Sequence, residues 1–196
     1  PRHRYLAVAR YWTRRGFAVL VPTRLGYGET GVEPDAEYSG PCNAKNYRGL
    51  LEAGVIQVSA ALQYARRQPW ADADRAIVMG ASVGGFITVA VAGRRLPGVV
   101  AAINFSGGAG GDPKERPGNP CGPRQLEAAF AEAGRTARVP GLFLYSENDR
   151  FWGADLPRRW HAAYVAAGGR ARLVSAPPIG EDGHQLLNRG FRLWRK

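Results

Sequence analysis

Hydrophobic positions recur along the chain in two alternating rhythms. Residues 2–15 place Tyr5, Leu6, Val8, Ala9 and Trp12 at helical spacing, with Gly16 as the stop. The run Phe17-Ala18-Val19-Leu20-Val21 is continuously apolar and closed by Pro22, as expected of a strand buried on both faces of a parallel sheet. A Gly/Pro-rich loop extends to about residue 43, and the spacing predicts a long helix over 45–67. Strands are then predicted at 76–79, 99–105, 142–145 and 171–175, with helices at 83–94, 123–134 and 156–167. A last helix is expected after His184. Alternating strands and helices imply βαβ units with right-handed crossovers. The fold class expected is therefore α/β: a mostly parallel sheet with helices on both faces, in one domain spanning residues 1–196.

Composition changes this picture little. With 45% hydrophobic and 22% charged residues the chain reads as globular rather than disordered, and no apolar run reaches membrane-spanning length. The first residues do not begin a signal peptide, and the chain lacks an initiator Met. The net charge of +11 comes almost wholly from arginine and would suit an anionic partner. Yet the arginines fall in pairs, such as Arg14-Arg15, Arg66-Arg67, Arg94-Arg95 and Arg158-Arg159, at the polar ends of predicted helices. That pattern reads as solvated helix faces, with no specific nucleic-acid binding.

Two cysteines, Cys42 and Cys121, each sit in a Pro/Gly-rich loop. With no further Cys or His beside them, no metal site is expected, and a disulfide and two free thiols are both open. A bridge would favour an oxidising compartment, periplasmic or secreted; free thiols would favour the cytoplasm.

The candidate chemistry lies at the carboxyl ends of the predicted strands, where open α/β sheets carry their sites. Ser82 lies in Gly80-Ala81-Ser82-Val83-Gly84, between a strand and a helix. Such a turn crowds the backbone, so glycine is expected on either side of the serine, and the hydroxyl is raised above the sheet. Asp149 follows the strand at 142–145, and His184 the strand at 171–175. A serine hydroxyl becomes a competent nucleophile when an imidazole takes its proton, and the imidazole needs an acid to hold its tautomer. The order Ser, Asp, His is that of the α/β-hydrolases. Asp149 is preferred over Glu147 and Asp155, and His184 over His3 and His161, for their places just past the strands. The backbone N–H of Val83 is the candidate oxyanion donor, and Tyr27, Phe151 and Trp152 are candidate pocket residues.

These residues, with Arg24-Leu25-Gly26-Tyr27-Gly28 after the first predicted strand, resemble the dienelactone hydrolase-like branch of the α/β-hydrolase superfamily over nearly the whole chain. The resemblance implies Ser82 as nucleophile, Asp149 as acid and His184 as base, no cofactor, and a small-molecule ester or lactone opened through an acyl-enzyme. Dienelactone hydrolases proper use cysteine as nucleophile; serine here points to a general esterase or a related serine peptidase. The resemblance also implies a further strand before residue 2, lying between the strands 17–21 and 76–79 and followed by the second oxyanion donor. On that basis the domain is expected to be N-terminally incomplete, with a gap in its sheet. A catalytically impaired scaffold, and a basic module holding anions with its arginines or with the run Gly107 to Gly111, are the alternatives.

Overall fold

The computed structural model describes residues 5–31 and 38–195. Its framework is a four-stranded, all-parallel sheet of β1 (Ala76–Ala81), β2 (Val99–Phe105), β3 (Gly141–Ser146) and β4 (Ala171–Ala176), side by side in chain order. Helices α2 (Tyr47–Arg66), α3 (Val83–Ala92), α4 (Pro123–Thr136) and α5 (Asp155–Ala166) contribute to the core on one face. On the other lie α1 (Leu6–Thr13) and two single-turn helices, α6 (Leu186–Arg189) and α7 (Phe191–Trp194). Period-two alternation along the strands separates the two cores: Phe143 and Tyr145 of β3 point to the first face, Leu142 and Leu144 to the second.

The larger core is aromatic. Phe130 stacks between Phe86 and Trp160, at centroid distances of 5.2 and 5.1 Å, and Phe143 and Tyr164 continue the cluster. Local signals set the helix starts. The Asn46 side chain accepts from Gly49 N–H at 2.9 Å to cap α2, and Pro123 opens α4, where a missing N–H costs nothing.

One expected element does not form. Residues 17–24 are without strand structure, and Phe17, Leu20 and Val21 are 38%, 39% and 48% exposed. A strand is held by a neighbour's hydrogen-bonding edge. Here a cavity of about 700 Å³, lined by Leu20, Val21, Pro22, Val78, Met79 and Tyr64 among others, separates this segment from β1. Direct pairing of the two is thereby ruled out, and β1 pairs only with β2 among the described residues.

Cys42 and Cys121 are joined in a disulfide across 79 positions, with Cα atoms 5.1 Å apart. It ties the loop before α2 to the loop before α4, where the Tyr47 hydroxyl also donates to the Cys121 carbonyl. Burial pushes the Tyr47 phenol up to about 12, so it remains a neutral donor. Among the described residues no helix is long and apolar enough to cross a membrane.

Candidate active site

Ser82 sits between β1 and α3 with φ 55° and ψ −126°, a backbone conformation that a side chain rarely adopts. Neighbouring backbone forces it. The Ser82 N–H donates to the Phe105 carbonyl at 3.0 Å and its carbonyl accepts from Gly108 N–H at 3.2 Å. A side chain at Gly80 would run into the Gly84 carbonyl, and one at Gly85 into Asn104 and the Gly107 backbone. Gly84 departs from the expectation: a Cβ there would meet nothing within 4 Å. The steric demand for glycine therefore falls at 80 and 85, where chain segments cross, rather than evenly about the serine.

The three distant residues meet. The Ser82 hydroxyl lies 3.0 Å from His184 Nε2, and His184 Nδ1 lies 3.1 Å from both carboxylate oxygens of Asp149. An ionised carboxylate can only accept, so Nδ1 carries the proton and the Nε2 lone pair faces Ser82. Asp149 and His184 are buried, 2% and 7% exposed. Asp149 also accepts from the Phe151 N–H at 2.9 Å. Val83 is the first residue of α3, so its N–H lacks an intrahelical acceptor beside the Ser82 hydroxyl.

A second set of bonds, not anticipated from the sequence, joins the loop after β3 to the loop after β4. Asp182 Oδ1 accepts from the N–H of both Arg150 and His184, each at 3.0 Å. Asn148 accepts from Ile179 N–H at 3.0 Å and donates to the Gly180 carbonyl at 2.9 Å. Gly183 N–H donates to the Asn148 carbonyl, and a side chain at Gly183 would collide with Ser146. Asp and Asn are residues that bond nearby backbone; the signal was present in the sequence, but not which backbone.

The other candidates fall outside this constellation. Glu147 is exposed, and the Asp155 side chain, 91% exposed, lies near Arg158. His161 Nε2 contacts the Ala171 carbonyl at 3.0 Å, and its ring packs on Phe143. His3 lies outside the described residues. Trp152 does not line an open pocket: it is 1% exposed, and its Nε1–H donates to the Ser106 carbonyl at 2.8 Å, because a large ring this close to the core is buried with its one polar atom satisfied. Phe151 lies flat on the His184 ring. Tyr27 is half-exposed, with Arg24 over its ring at 4.9 Å, and has no described contact with Ser82 or His184. Under the site, Tyr145 donates to the Gly107 carbonyl at 2.7 Å and accepts from Asn104 at 3.0 Å. Burial first, and the nearby Asp149 charge second, push the Tyr145 phenol well up, so it is a fixed donor. Among the described residues, no group of three or more His, Cys, Asp or Glu side chains gathers as a metal site would need.

Comparison with known proteins agrees with this architecture. The sequence model of the prolyl oligopeptidase family matches residues 4–109, more than half of the chain. A search of curated proteins finds no match. Among solved structures, a putative dienelactone hydrolase from Klebsiella pneumoniae is 23% identical with a TM-score of 0.50; the match covers 75% of this chain and 57% of that one. A puromycin-hydrolysing peptidase of Mycobacterium tuberculosis is 18% identical with a TM-score of 0.52, covering 71% of this chain and 23% of that one. A Pyrococcus furiosus esterase shares the fold at 9% identity and a TM-score of 0.51, covering 72% and 57%. The chain thus spans little more than half of the shorter relatives and about a quarter of the longer one. From the family match and the shared fold together, the chain belongs to the prolyl oligopeptidase family, within the α/β-hydrolase superfamily.

Proposed function

We propose that the chain is a single hydrolase domain that opens carboxylic ester or lactone bonds through an acyl-enzyme, with Ser82, His184 and Asp149 as its catalytic triad. The observation carrying this reading is the unbroken relay from Ser82 Oγ through the His184 ring to Asp149. Ser82 Oγ attacks the substrate carbonyl carbon as its proton passes to His184 Nε2. Asp149 keeps the ring in the required tautomer and offsets the positive charge it gains. The oxyanion of the tetrahedral intermediate lies towards Val83 N–H and the positive end of α3. His184 then gives its proton to the departing alkoxide. Water, deprotonated by the same nitrogen, attacks the acyl carbonyl; as the C–O bond to Ser82 breaks, His184 returns that proton to Ser82 Oγ, and the acid leaves with the enzyme regenerated.

A second reading, peptide amide as substrate, is favoured by the prolyl oligopeptidase match itself. The chemistry is the same, with an amine as the group that His184 protonates.

The test pairs labelling with turnover. A fluorophosphonate probe is expected to modify Ser82, located by peptide mass spectrometry, and Ser82→Ala is expected to take no label. On a panel of p-nitrophenyl esters of graded acyl length, Ser82→Ala should lower kcat by roughly 10⁴- to 10⁶-fold. Aminoacyl p-nitroanilides run beside the esters decide between the readings: higher kcat/KM on the anilides would replace the esterase with a peptidase. Absence of both labelling and turnover in folded wild-type protein would overturn both.

A further inference from the structure

We infer that Phe151 is a positioning residue for the base: its ring keeps the His184 imidazole in line between Ser82 and Asp149 and favours the charge the imidazole acquires. This rests on the triad reading above and deepens it.

The two ring centroids are 3.8 Å apart and their planes are inclined by only 22°, so the phenyl face, not its edge, covers the imidazole. That contact adds to the restraint of the hydrogen bonds. His184 is held by its Cβ and by hydrogen bonds at Nδ1 and Nε2, and rotation of the ring about Cβ–Cγ is opposed only by the bending and lengthening of those bonds. A flat surface against one face opposes that rotation. Trp152 meets the same imidazole at 5.5 Å and 69°.

The contact is also stronger after proton transfer than before. The face of an aromatic ring is negative, and its attraction for a cation grows where water is excluded. His184 is neutral when substrate arrives and cationic once it holds the Ser82 proton, while its surroundings stay buried. An interaction that strengthens along the reaction accelerates it; one of equal strength throughout would alter binding alone.

Phe151 has two further restraints. Its backbone N–H donates to Asp149 Oδ1, so one residue serves the acid with its main chain and the base with its side chain. Beside it and Trp152 lie Gly108 and Gly111. A Cβ on Gly111 would stand 2.9 Å from Phe151 Cδ1 and 2.6 Å from Trp152 Cζ3, and one on Gly108 would stand 2.9 Å from Trp152 Cζ2. Gly108 and Gly111 are bare where these two rings lie on them, whereas Gly107 faces Asn104 and the Gly85 backbone and Gly110 faces Tyr47 and Cys121. At Gly108 and Gly111 the space that an anion would need is taken by the two rings that touch His184.

The experiment compares Phe151→Leu, which keeps apolar bulk but removes the ring face, with Phe151→Tyr, which retains it. For Phe151→Leu, kcat on the best ester of the panel is expected to fall roughly ten-fold with KM within about two-fold of wild type. Phe151→Tyr should recover most of that loss. Gly111→Ala, whose added Cβ presses on both the Phe151 and Trp152 rings, should show the same split to a lesser degree. In proton NMR the His184 ring Hε1 signal should be displaced upfield by the phenyl ring current in wild type and Phe151→Tyr, and return downfield in Phe151→Leu. Thermal melting reports whether each variant is folded, and the NMR signal reads the stack without turnover. Equal kcat in wild type and Phe151→Leu, equal losses in the Leu and Tyr variants, or an unmoved Hε1 signal would each overturn the inference. An active, labelling wild type with any of those results removes only the role of Phe151; a wild type that neither labels nor turns over removes the triad reading itself.

Discussion

Residues 146–152 and 177–184 form the loops that carry Asp149 and His184, while residues 17–25 form the segment beyond the β1 edge. The first pair includes Asn148, Asp149 and Asp182, which a composition-based reading would leave in solvent. Nonetheless each is bonded to backbone or side chain of the facing loop, and Asp149 is 2% exposed. The second segment is the more apolar, yet Phe17, Leu20, Val21 and Leu25 are all more than a third exposed. Apolar character alone therefore does not decide which region is ordered by its neighbours. A segment is held when partners for both its side chains and its backbone lie within reach; among the described residues, 17–25 find them at their ends, where Phe17 N–H donates to the Trp12 carbonyl and Leu25 N–H to Gln57, and the cavity keeps them from the β1 edge.

The disulfide bears on this contrast most heavily. Cys42 belongs to the loop preceding α2, and Cys121 is bonded through its N–H to the Gly110 carbonyl, in the chain that supports Trp152 and Phe151. Closing a loop of 79 positions restricts the unfolded chain by about 4 kcal/mol on the chain-entropy account. Reduction with an excess of a dithiol, which leaves two protein thiols and the cyclic oxidised reagent, should lower the denaturant-derived stability by roughly that amount. Cys42→Ser with Cys121→Ser should match the reduced protein. A loss under about 1 kcal/mol would mean that the half of the molecule carrying Ser82, Asp149 and His184 stands without the tie.

Asp182→Ala comes next. It removes the acceptor of two backbone N–H groups, Arg150 and His184, on opposite sides of the loop junction. Leaving such donors without partners costs about 1–3 kcal/mol. Since one of them belongs to His184, the proposed base, kcat should also fall, by roughly 10- to 100-fold, through misplacement of the imidazole. Urea unfolding and ester turnover on the same preparation check both. Stability lost with kcat unchanged would separate the loop junction from the site.

Most of this arrangement could be read from the residues, and the exceptions share a cause. The strands and helices after residue 45 follow the apolar rhythm closely, because each is packed on its own face of the sheet. Ser82, Asp149 and His184 are singled out by their places after strands, a rule of chain order that needs no coordinates, and the structure brings their side chains within hydrogen-bonding distance. The segment 17–21 has the composition of a buried strand and is not one, since strand formation depends on a neighbour that no local pattern encodes. Phe151 and Trp152 were expected in a substrate pocket; which way a ring turns depends on the glycines across from it. Asp182 is a residue type that bonds nearby backbone, but which two amides it joins depends on how the two loops meet.

The smallest effect is expected where the contrast would be broken most directly. Leu20 is 39% exposed and borders the cavity, so it has given up only part of its apolar surface to neighbours. Leu20→Ser should then change stability by no more than about 0.5 kcal/mol, as for surface positions generally. Phe130→Ala, in the middle of the stacked aromatic core and 0% exposed, should cost about 3–5 kcal/mol by the same measurement. Hydrogen exchange adds a residue-level reading, because β3 is paired on both sides and β1 on one. The slowest amides should fall in β3 and the faster ones in β1. If Leu20→Ser costs more than about 2 kcal/mol, or β1 exchanges as slowly as β3, then the edge is covered in solution and the two regions are held alike.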